Sequence, residues 1–163
     1  MSAGGAPPTP IVWPAGPAVQ LTRRFPDAPA TLFRAFTDPA ALQQWWGPRD
    51  FAITAIAFPA EEGRDYRVEL RAPDGSRWAH EGRFLEVRPP TTLAYTWRWV
   101  EGPLPPVETL VELTFRAEGA GTVLSVRHGP FADQAGCDRH VVGWTDTFAR
   151  LEAWARHSES RRQ

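Results

Sequence analysis

Lysine is missing altogether: all 18 basic residues are arginine. That absence excludes Schiff-base chemistry, a pyridoxal-phosphate anchor and a phosphate-loop lysine. The single cysteine, Cys137, excludes an intrachain disulfide and a cysteine cluster for zinc, in keeping with a reducing, cytoplasmic setting. No run approaches the ~20 apolar residues of a membrane span, and the N-terminus lacks the basic-then-apolar order of a signal peptide. No serine sits in a G-x-S-x-G elbow, and the four histidines, His80, His128, His140 and His157, show no H-E-x-x-H spacing. The net charge is −1 with both signs interspersed, which leaves no electrostatic footprint for nucleic acid or an anionic membrane. Nothing in these residues calls for a metal or an organic cofactor.

What the chain has instead is aromatic mass: 8 Trp and 9 Phe in 163 residues. A chain of this size forms one domain that buries roughly two-thirds of its unfolded surface, so the rings either build the core or line something. Residues 1–18 hold five prolines and three glycines without periodicity and read as a flexible or extended tail. Trp13 stands out there as a side chain fit to dock on the domain or on a neighbouring subunit. The expected organisation is this tail, one domain over 19–158, and a short C-terminal tail over 159–163.

Within the domain, residues 19–25 read as a strand. Pro29 suits the first turn of a helix carrying Leu32, Phe33 and Phe36, and Asp38-Pro39 caps and starts a second short helix that Gly47-Pro48 stops. Residues 50–129 contain six strand-length segments broken by "PAEEG", "PDGS", "RPPT", "EGPLPP" and "EGAG". Such short connections favour an antiparallel meander. After Phe131 the period changes: Cys137, Val141, Trp144, Phe148, Leu151 and Ala155 mark one stripe of a helix over about 135–157, roughly 34 Å long. An antiparallel sheet covering one long helix buries one face and wets the other.

Alternation assigns the inward rows: Tyr66, Val68 and Leu70; Leu93, Tyr95, Trp97 and Trp99; Thr109, Val111, Leu113 and Phe115; and Leu124, Val126 and His128. Ala94, Thr96 and Arg98 fall outward, as do Arg67, Glu69 and Arg71. His80 faces inward unless Gly82 marks a bulge that reverses the count. His140 and His157 lie off the helical stripe and are expected in solvent. Gly143 costs helix stability, which a close approach of helix to sheet would explain.

In "TDPAALQQWWGPRDF" adjacent helical residues point about 100° apart. One of Trp45 and Trp46 can pack under the sheet edge while the other reaches a cavity mouth, or both plug the end of the core. The ladder Tyr95, Trp97, Trp99 likewise suits a cavity wall or a filled core. His128, at the inward end of the last strand, is the best single candidate for a polar contact or an acid-base role, or else a satisfied structural residue.

The stretches "ATLFRAFTDPAALQQWWGP", "EEGRDYRVELRAPDGS", "EGRFLEVRPPTTLAYTW", "GTVLSVRHGPF" and "HVVGWTDTFARLEAW" together resemble the START/Bet v 1-like (SRPBCC) superfamily, in particular the group similar to the C-terminal domain of the activator of Hsp90 ATPase. The resemblance covers about residues 19–157. It implies an α+β helix-grip fold: a curved seven-stranded antiparallel sheet around a long C-terminal helix, two short helices after the first strand, and a cavity between sheet and helix. Superfamily members bind apolar small molecules, carry lipids, or act as cyclases and hydrolases. The eukaryotic co-chaperones carry a further N-terminal domain where this chain has a short tail, which tells against an Hsp90-type chaperone as partner.

The resulting expectation is a binder of a small hydrophobic or aromatic molecule, with Trp46, Tyr66, Val68, Tyr95, Trp97, Trp99, Leu113, His128, Trp144 and Phe148 around it. The alternative is a cyclase, dehydratase or hydrolase using His128 as acid-base and Tyr95 as hydrogen-bond donor, and the third reading is an Hsp90-activator-like co-chaperone module. Trp13 and an open sheet edge are compatible with a homodimer.

Overall fold

Proline, glycine and aspartate place the element boundaries. The computed structural model describes residues 11–161, with side chains through 158; residues 1–10 of the expected tail and residues 162–163 lie outside the described residues. Strand β1 (Val19–Phe25) leads into α1 (Pro29–Thr37) and α2 (Pro39–Trp45). Six strands follow, β2 (Ala52–Ala57), β3 (Asp65–Arg71), β4 (Arg77–Arg88), β5 (Thr92–Glu101), β6 (Thr109–Glu118) and β7 (Gly121–Gly129), and then α3 (Gln134–Arg161). Pro29 occupies the first turn of α1. Asp38 closes α1 with its backbone N–H and caps α2 by accepting from the Ala40 N–H at 3.0 Å. Among the described residues no helix is long and apolar enough to cross a membrane.

The strands form one antiparallel sheet in the order β1-β7-β6-β5-β4-β3-β2. The meander runs from β2 to β7, and β1 returns to pair with β7, Val19 opposite His128. This is the α+β helix-grip architecture: the inward rows of β3 to β7 meet the α3 stripe, of which Cys137, Trp144, Phe148, Leu151 and Ala155 are buried. Ala94, assigned to the outer face, is nonetheless fully buried; this short side chain lies between Glu86 and Glu112 in the ladders. On that face Arg67 pairs with Glu69, Glu81 and Glu101, as a solvated charge pattern does.

The described part of the tail docks on its own domain. The Phe131 N–H donates to the Pro17 carbonyl at 2.8 Å, and the Arg127 guanidinium sits 4.2 Å above the Trp13 ring. A cation over an indole at a surface site contributes about 0.5–1 kcal/mol.

Gly82 is not itself a bulge. The register of β4 against β5 shifts on either side of it, at Ala79/His80 and at Phe84/Glu86, and His80 faces inward, 1% exposed. Gly82 permits close backbone approach instead: a Cβ there would overlap the Thr96 carbonyl. The same carbonyl accepts the Tyr66 hydroxyl at 2.9 Å, while Thr96 Oγ1 accepts the Arg83 N–H at 2.9 Å. Because the opposing atom is backbone, Gly82→Ala cannot be absorbed by a rotamer change. It should cost about 3 kcal/mol or more, read as a fall in the urea midpoint; a loss under about 1 kcal/mol would show that the two strands can separate freely here.

Candidate functional site

The two adjacent tryptophans part company where α2 ends. Trp46 is the C-cap, with extended backbone (φ −67°, ψ 142°), and Gly47 follows at φ +106°, a conformation that favours glycine. The Trp45 ring packs edge-on against Phe36 at 4.8 Å between centroids. The Trp46 ring, 5.7 Å from that of Trp45, extends on to Trp144 at 5.5 Å and Trp97 at 6.1 Å. Both are buried, and only Trp46 reaches a cavity.

Arg150 of α3 holds this corner. Its Nη1 lies 3.1 Å from the carbonyl oxygens of Trp46, Gly47, Pro48 and Phe51. One charged donor thereby serves a turn whose carbonyls have no ladder to pair with. Burial pulls the Arg150 pKa down, opposed by Asp50 and Asp146.

Between loop 46–51, the inner faces of β3 to β5 and the first half of α3 lies a cavity of about 190 Å³. Trp46, Trp78, Trp97, Trp99 and Trp144 form most of its wall, with Leu70, Phe51 and Leu104. His80, Arg139, His140 and Thr147 supply the polar groups. Gly143 lies at its helical side. A Cβ there would meet only Pro48 Cγ, at 3.8 Å, so close approach to the sheet is not its reason; the missing side chain leaves the cavity open.

Of the residues expected around a ligand, Trp46, Trp97, Trp99 and Trp144 line this cavity. Tyr66, Val68, Tyr95, Leu113, His128 and Phe148 are instead buried in the adjoining core, outside the cavity wall. His140, expected in solvent, is a wall residue: its Nε2 accepts the Trp99 indole N–H at 3.1 Å and its Nδ1 lies 2.7 Å from the Gly136 carbonyl. A signal for it was present. Gly136, His140, Gly143, Thr147 and Arg150 repeat at steps of four, three, four and three, a second stripe beside the apolar one, made of small and polar residues.

Hydrogen bonding assigns the tautomer of each inward histidine. His128 Nδ1 accepts the Trp144 indole N–H at 3.0 Å. Thr109 Oγ1 donates to the Trp97 carbonyl at 3.0 Å, so the 2.8 Å contact between Thr109 and His128 Nε2 uses an Nε2–H donor. Both nitrogens are consumed internally, which leaves His128 no free atom for proton transfer. His140 accepts at Nε2 and donates from Nδ1. Tyr66 gives its one proton to Thr96, so the 3.3 Å contact with His80 is donated by His80 Nδ1–H. His80 Nε2 is then an acceptor, buried and without a partner among the described residues.

Desolvation by burial is the main cause holding all three below the ordinary histidine range, with His140 lowering His80 and both His140 and His80 lowering His128. Above pH about 7.5 each is neutral whether folded or unfolded. Below about 6.5 the unfolded chain binds protons that the folded chain refuses. Stability is therefore fully present above that value and declines on acidification, by up to about 1.4 kcal/mol per pH unit for each histidine, until the lowered folded pKa is passed. Urea titrations from neutral to mildly acidic pH should show this decline; a flat profile would mean the imidazoles protonate in place.

The family model described as activator of Hsp90 ATPase homolog 1-like protein matches residues 27–156. No curated protein matches the chain. Among solved structures, a Chromobacterium violaceum protein is 28% identical with a TM-score of 0.77, over 84% of this chain and 95% of that one. The AHSA1 protein of Silicibacter pomeroyi is 26% identical with a TM-score of 0.78, over 86% of this chain and 99% of that one. A Rhodobacter sphaeroides protein, 22% identical with a TM-score of 0.74 over 88% and 97%, shares the fold. With its helix-grip sheet, its short helix pair and the family match across residues 27–156, the chain belongs to the activator of Hsp90 ATPase homolog 1-like family.

Proposed function

We propose that this protein binds a small, uncharged hydrophobic or aromatic molecule in the cavity between loop 46–51, β3 to β5 and α3. The observation that carries the reading is the wall itself: five indoles line about 190 Å³ that the facing helix, with Gly143 and Thr147, does not fill. Ligand pockets are typically concave, apolar and sparsely polar. An apolar cavity of about 150 Å³ takes up benzene, so one or two fused rings suit this one. The proposed setting is the cytoplasm, where the free, buried Cys137 stays reduced. An acid-base enzyme built on His128 is disfavoured, because both ring nitrogens already serve Trp144 and Thr109.

Gly143 offers a test that separates binding from folding. A leucine there would project into the cavity and replace a poor helix former, a gain of up to about 1 kcal/mol in helix propensity. Titrated with uncharged one- and two-ring aromatics, the wild-type protein should show saturable quenching of Trp fluorescence. Gly143→Leu should lose that response while its Tm holds or rises. Unchanged affinity in the variant, or no saturable response in the wild type, would refute the cavity as the binding site.

A further inference from the structure

Two side chains of the cavity wall carry a polar atom that the protein does not serve. His80 Nε2 and Trp97 Nε1 are both buried and have no hydrogen-bond partner among the described residues. Three of the other wall indoles are engaged: Trp99 donates to His140, Trp144 to His128 and Trp78 to Ser76. Buried polar groups are paired in the great majority of cases, so an unpaired acceptor and an unpaired donor on one wall point to a ligand that supplies both partners.

The two atoms are complementary, and the rings that carry them are stacked. His80 holds its proton on Nδ1, toward Tyr66, which leaves a lone pair on Nε2 at the far edge of the ring. Trp97 Nε1–H can only donate. The two rings stack at 3.6 Å between centroids and 4° between planes, so the acceptor-bearing and donor-bearing rings are in contact. A hydroxyl oxygen matches this pair, donating its proton to His80 and accepting from Trp97. An ether oxygen serves only Trp97 and leaves His80 unpaired, a hydrocarbon serves neither, and a carboxylate sets negative charge against the His80 lone pair in a desolvated site.

Resting on the proposed cavity binding, we infer that the ligand is a flat, neutral aromatic bearing a hydroxyl group, and that His80 and Trp97 read that hydroxyl. The Tyr66 bond to the Thr96 carbonyl is then a positioning contact, because it determines which nitrogen of His80 carries the proton.

Calorimetric titration with 1-naphthol, 1-methoxynaphthalene and naphthalene tests this. The wild-type protein should bind 1-naphthol about tenfold more tightly than either analogue. His80→Phe keeps a flat ring on Trp97 but no acceptor, and should bring 1-naphthol to within about twofold of 1-methoxynaphthalene. Should that variant fail to fold, nitrogen-15 NMR of the wild type gives the same answer. The His80 Nε2 signal should be that of an unprotonated nitrogen and should move with 1-naphthol but not with 1-methoxynaphthalene. Equal affinity for all three compounds would overturn the hydroxyl inference and leave the cavity reading standing; binding of none would overturn both.

Discussion

The Arg150 guanidinium is the contact on which the rest of this end of the molecule depends. Loop 46–51 turns sharply through Gly47 and Pro48, and its carbonyls at Trp46, Gly47, Pro48 and Phe51 converge on one nitrogen of α3. A hydrogen bond to a charged group is worth roughly 1.5–3 kcal/mol, offset in part by the desolvation that lowers the Arg150 pKa. The geometric consequence outweighs the energetic one. With the loop held to α3, Trp46 faces Trp97 and Trp144 across a space that neither sheet nor helix fills.

The inner face of the sheet divides into two regions with different aromatic chemistry. At one end Phe58, Tyr66, Phe84 and Tyr95 pack with ring centroids 4.8–5.8 Å apart and make a filled core. At the other end the rings are Trp46, Trp78, Trp97, Trp99 and Trp144, and the helix opposite them presents Gly143 and Thr147. Large rigid rings on three sides and a glycine on the fourth leave a void, because indoles cannot bend to close it. Of the three inward histidines, His80 touches both regions, Tyr66 on one side and Trp97 on the other. His128 and His140 each accept an indole N–H, fixing Trp144 and Trp99, while His80 stacks flat on Trp97.

Much of this was legible in the sequence, and the limit has a physical form. Period-two alternation identified the inward rows of β3, β5, β6 and β7, and the steps from Cys137 to Ala155 identified the buried stripe of α3. Periodicity reports which face a side chain occupies, not how far the opposing element stands from it. Tyr95 and Trp97 therefore looked equivalent on one strand, although only Trp97 borders the cavity. His128 drew attention by its place, yet its atoms are consumed by Thr109 and Trp144. His80, its facing left open by Gly82, carries the unpaired nitrogen. Arg150 is overlooked and His140 is assigned to solvent because the second helical stripe is polar and small, and a hydrophobic pattern passes over it.

The central claim, that the indole-walled cavity takes up an aromatic molecule, is tested most directly by the indole N–H resonances of the 8 tryptophans. Titration with naphthalene should shift the signals of Trp46, Trp78, Trp97, Trp99 and Trp144 together along one binding curve. Trp45, packed on Phe36, and Trp154, bonded to Gln44, should stay in place. Shifts confined to Trp154 and Trp13, or no saturable shift in the five cavity indoles, would contradict the account and leave those rings as core.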